Sequence, residues 1–182
     1  MSIKIGKIDI ARRQLETAIN LFFYDRDVVS IHTLTAAAFN ILQDMSTNDG
    51  RDIKTLRSVF LKRVKEGSEK HVINKIREAE NFFKHADKDP YEYLEFNSKQ
   101  TEYMLWDAVT LYAVIAGENT SVLQLFYYWF MASYPDIFTF TGEQKRLQLE
   151  AGMDLNNISK KEYFELMLPR ISRLDKHQLI GA

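Results

Sequence analysis

The 182-residue chain contains no cysteine. Disulfides, thiolate-ligated metal centres and cysteine nucleophiles are excluded together. It also has almost no net charge: 24 lysines and arginines face 25 aspartates and glutamates, leaving −1 at pH 7. No global field therefore draws it toward nucleic acid or anionic lipid. Long apolar runs are missing as well. The most apolar stretch, Val122 to Tyr134, contains Gln124 and falls short of the roughly 20 residues that span a bilayer. It reads as a buried core helix, and no membrane partner is expected. The opening residues, Met1-Ser2-Ile3-Lys4-Ile5-Gly6-Lys7, lack the apolar core of a secretory signal. A soluble cytoplasmic protein is expected. Glycine loops that cradle nucleotides, G-x-S-x-G elbows and paired catalytic carboxylates are absent too, and no cofactor is called for.

What is present is helical periodicity. Apolar residues make up 46% and charged residues 27%, an ordinary globular balance that excludes wholesale disorder. Three prolines and seven glycines punctuate the chain, and most intervals between them repeat every 3.6 residues. The spacing of Ile8, Ala11, Leu15, Ala18, Ile19 and Phe22 predicts a first helix to about Tyr24. Asp25 or Asp27 can cap a second, through Ile31, Ala38 and Leu42 to a turn at 46–50. A third is expected from about Asp52 to Lys65, and a fourth from a Ser68 cap onward. Ser98 to Gly117 and Thr120 (or Asn119) to Pro135 frame two more. A weaker helix is predicted over Gly142 to Ala151, and Ser159 opens a last one. The expected fold is all-α, a single-domain bundle of about six to eight helices over 1–182.

The densest concentration of chemically useful side chains is Asn81-Phe82-Phe83-Lys84-His85-Ala86-Asp87-Lys88-Asp89-Pro90. Arg77, Asn81 and His85 stand four residues apart, near one helical face. Pro90 disfavours helix at the residue before it, which places Asp87 and Asp89 where the helix stops. His85 is a candidate general base, Arg77 and Lys84 candidate anion binders, and Asp87 and Asp89 candidate ligands or orienting groups. The same residues also make a sound helix terminus and turn. A metal centre would need a third or fourth ligand from elsewhere, with His32 the natural addition to His85, Asp87 and Asp89. The spacing matches no zinc-protease or calcium-loop motif.

A second constellation is Arg26-Asp27-Val28-Val29-Ser30-Ile31-His32. Together with Leu15, Ala18 and Leu21, then Ala36-Ala37-Ala38 and Ile41-Leu42, it resembles the opening helical hairpin of the HEPN superfamily. These are small helical bundles, often dimeric, many of them RNases of toxin or defence systems. Their active members carry an arginine, often a polar residue after it, and a histidine four to six positions on. Arg26, Asp27 and His32 match that pattern over the first two helices, although the family usually carries it on a later helix. The resemblance implies metal-independent RNA cleavage, with His32 moving the 2′-hydroxyl proton and Arg26 stabilising the phosphate. Arg77 and Asn81 with His85 form a looser second version.

Basic residues cluster at Lys54, Arg57, Lys62, Arg63 and Lys65, then Lys70, Lys75 and Arg77. They suit a phosphate-bearing partner, RNA or nucleotide, or equally a solvated helix face. Phe126-Tyr127-Tyr128-Trp129-Phe130 covers every face of its helix, which suits a central core position or burial shared with a second copy. A homo-oligomer is expected. The leading functional expectation is a self-associating binding or interaction protein, with the RNase and metal-enzyme readings as alternatives.

Overall fold

The first helix forms because Ala11, Leu15, Ala18, Ile19, Phe22 and Phe23 fall on one stripe, and all six are buried in the computed structural model. This model describes residues 2–87, 89–139, 142 and 157–173. Helix α1 (Lys7–Phe23) ends in a tight reversal. The N–H of Arg26 bonds the Leu21 carbonyl at 2.9 Å, and that of Asp25 bonds the Phe22 carbonyl at 3.2 Å. Asp25 takes the left-handed position, φ +48°, that glycine more often fills at such a helix end. Asp27 then caps α2 (Val28–Asn48) by accepting from the Ser30 N–H at 2.8 Å and its hydroxyl at 2.6 Å. Of the two expected capping aspartates, Asp27 caps and Asp25 turns.

The middle of the chain departs from the sequence pattern. The third helix is only α3 (Leu56–Leu61). Thr55 and Ser58 form a reciprocal capping box that sets its start after Asp52. The fourth predicted helix is two, α4 (Glu69–Ile76) and α5 (Glu78–Lys84), which meet at Arg77. Ser68 precedes α4 but makes no side-chain capping bond.

Next come α6 (Lys99–Ala116), α7 (Ser121–Ser133), a 3₁₀ turn at Pro135–Ile137, and α8 (Lys160–Ile171). Gly117 closes α6 at φ +67°, and Thr120 rather than Asn119 caps α7. Ser159 and Glu162 form a second capping box at α8. The weak helix expected over Gly142 to Ala151 lies, beyond Gly142, outside the described residues.

The described residues contain eight helices and no strand. They pack as one body in which α1, α2 and α6 share the largest contacts and α7 lies against α1, α6 and α8. That placement accounts for the aromatic run. Phe126 and Trp129 meet Phe22 and Phe23 of α1, while Tyr127 and Phe130 stack on Trp106 of α6 at 4.6 and 4.8 Å. Phe126, Trp129 and Phe130 are thus buried within one chain, while Tyr127 and Tyr128 stay half-buried. Among the described residues no helix is long and apolar enough to cross a membrane.

Candidate functional site

The residues singled out by sequence fall into three environments. Arg26 is exposed in the turn between α1 and α2. His32, six residues on, is fully buried. Its Nδ1 lies 3.0 Å from the Thr101 hydroxyl, and its ring meets Phe83 and Phe96 edge-on at 5.6 and 5.0 Å. Burial, outweighing the nearby Glu80 charge, holds its pKa below the ordinary imidazole value. His32 is therefore a neutral core histidine, and it shares no solvent-facing surface with Arg26.

The second environment is the end of α5. The structure gathers Asn81, Lys84, His85, Asp87 and Asp89 around one open depression of about 890 Å³, together with Glu78 and Glu92. His85 is the C-cap: its N–H bonds the Asn81 carbonyl at 3.0 Å while its own backbone is extended. Among the described lining residues four carboxylates face one ammonium and one imidazole. Of these, Glu78 is paired with Lys75 and Lys84 with Glu80, so the described groups do not form the cationic pocket that a phosphate-bearing ligand would favour. His32 does not join this group, and no set of three or more His, Asp or Glu residues that could hold a metal ion occurs among the described residues.

The third environment draws on residues of the basic cluster, which by its sequence suits either a phosphate-bearing partner or a solvated face. Arg57 and Arg77 turn inward, and each has a buried Nε without a hydrogen-bond partner. Beside them on α5, Glu80 accepts from Asn40 Nδ2 at 2.5 Å and Lys84 Nζ at 2.7 Å. Burial pushes the Glu80 carboxyl up, but these two hydrogen bonds and the Lys84 and Arg77 charges outweigh it and hold the pKa low.

Arg57 also lines a cavity of about 430 Å³ bounded by α2, α3, α4 and α6. Its walls are mostly apolar: Phe39, Leu56, Phe60, Ile76, Met104 and Ile137. Lys75, Gln100, Tyr103, Arg57 and Asp107 supply the polar groups. A cavity of a few hundred Å³ with apolar walls and a few fixed polar groups is the usual form of a small-molecule site.

Asp107 holds this cavity together. It is only 3% exposed, and its two oxygens accept the Leu56 and Arg57 N–H groups at 2.7 and 2.9 Å. It thereby pairs donors that the first turn of α3 leaves open. Burial raises its pKa to about 6 against the opposing pull of those two hydrogen bonds. Sequence reasoning passed over Asp107, yet a signal was there. A carboxylate on the apolar face formed by Met104, Ala108 and Leu111 is a buried charge that must have partners.

No family model matches the chain, and neither a curated protein nor a solved structure matches it.

Proposed function

We propose that this chain is a binding protein whose site is the cavity between α2, α3, α4 and α6, occupied by a small molecule with an apolar body. The observation that carries the reading is the cavity itself, about 430 Å³ lined by Phe39, Leu56, Ile76 and Met104. Its floor is fixed by Asp107, whose hydrogen bonds tie α6 to the start of α3. By contrast, the nuclease chemistry implied by the HEPN resemblance needs an imidazole that reaches a 2′-hydroxyl. His32 is enclosed by Phe83, Phe96 and Thr101 and does not reach solvent. The test is thermal: a neutral apolar probe such as decanol should raise the melting temperature in step with the logarithm of its concentration above the dissociation constant. At 100 times its dissociation constant the stabilisation should be about 2.7 kcal/mol. A melting temperature indifferent to decanol and to shorter alcohols would remove the reading.

Self-association is the second reading, supported by the cavity rim. Phe60 is 55% exposed, Ile137 40% and Tyr103 37%, and all three border the cavity. An apolar rim of this kind suits contact with another copy. Light scattering at tens of micromolar should then give twice the chain mass, and Phe60→Asp should return it to monomer. A wild-type monomer at that concentration would contradict a micromolar dimer.

A further inference from the structure

The charges in the cavity wall select among apolar ligands, an inference that rests on reading the cavity as a binding site. Groups of opposite sign stand there, and they are not equally available. Both oxygens of Asp107 are occupied by backbone N–H groups. Lys75 is paired with Glu78 at 2.5 Å. Arg57 has its guanidinium carbon 5.3 Å from the centre of the Phe39 ring. Among the described residues neither Arg57 nor Arg77 forms an ion pair.

The surroundings of Arg57 offer it little compensation. Burial, and after it the neighbouring Arg77 charge, hold its pKa below the ordinary arginine value, against the pull of Asp107 and Glu80. Glu80 is already held by Asn40 and Lys84. A half-buried guanidinium with no ion pair and a buried Nε left without a hydrogen bond is unfavourable, and its planar fork matches a carboxylate in two parallel hydrogen bonds. The excess charge at the cavity is thus positive, and it sits beside apolar walls.

We infer that the cavity takes amphipathic carboxylates, with an apolar chain or ring among Phe39, Leu56, Ile76 and Met104 and a carboxylate paired with Arg57. The comparison that tests this is calorimetric titration of the full chain with decanoate and with decanol, on wild type and on Arg57→Met. Wild type should bind decanoate at least tenfold more tightly than decanol. In Arg57→Met that preference should vanish while decanol binding persists. Equal binding of the two probes to wild type would overturn the charge selection but leave the cavity as a site. Binding of neither would instead overturn the cavity reading itself. A decanoate preference that survives in Arg57→Met would show that another cation is responsible and overturn the assignment to Arg57. Circular dichroism establishes that the variant is folded. If it is not, Arg57→Lys replaces it: loss of the fork with retention of charge should reduce the preference, and an unchanged preference would count against the pairing.

Discussion

Truncating Trp129 to alanine should destabilise the protein by about 3–5 kcal/mol, the usual cost of removing a large aromatic side chain from a packed core. Trp129 is 6% exposed. Its ring lies 4.8 Å from Phe22, 5.7 Å from Phe126 and 5.9 Å from Phe23, all within the range of favourable aromatic pairs. These partners come from α1 and from α7 itself, so the truncation opens a void that only a shift of whole helices can close. Urea denaturation should show a lower midpoint with an unchanged slope, the sign of lost stability in an unaltered cooperative unit. A loss below about 1 kcal/mol, the typical effect of an ordinary substitution, would mean that α7 is not central.

The second large effect concerns Asp107 and its sign depends on pH. Its carboxyl titrates near 6 in the folded chain, against about 3.9 in an unfolded one. Between those values the folded state binds the proton more tightly than the unfolded state. The contribution of Asp107 to stability is therefore fully present below the unfolded value and is lost as pH rises through about 6. At about 1.36 kcal/mol per pKa unit, the total loss is roughly 3 kcal/mol. Wild type minus Asp107→Asn is the quantity to follow, because other titrating groups cancel in the difference. It should fall by roughly that amount from about pH 3 to about pH 7. A difference that stays flat, or rises, would show that the carboxylate is better compensated than its burial suggests.

The helices were largely legible because each has a punctuated apolar stripe. Gly117 and Pro135 stop α6 and α7, and Asp27, Thr120 and Ser159 cap α2, α7 and α8 where the pattern places them. The middle of the chain was less legible because its period is interrupted by tertiary contacts. Thr55 delays α3, and Arg77 divides the next helix where its side chain turns inward.

The site was harder to read for a related reason. His85 and its neighbours are a dense local cluster, and sequence proximity did put Asn81, Lys84, Asp87 and Asp89 beside it. Local density did not reveal that Glu78 and Glu92 would also line that depression. The cavity residues Phe39, Arg57 and Asp107 come from three different helices, Asp107 some fifty residues beyond Arg57, and only packing brings them together. His32 and Arg26 kept a suggestive spacing, but the capped start of α2 leaves one outside and turns the other into the core.

The most direct test of the cavity as the site is methyl NMR of the full chain, titrated with decanoate. The Leu56, Ile76, Met104 and Ile137 methyls border the cavity, whereas Leu15, Ile19 and Leu123 lie in the main core. The expected result is a saturable shift of the first group with the second nearly still. Shifts centred on Leu94, which borders the His85 depression, or no saturable shift at all, would contradict the account.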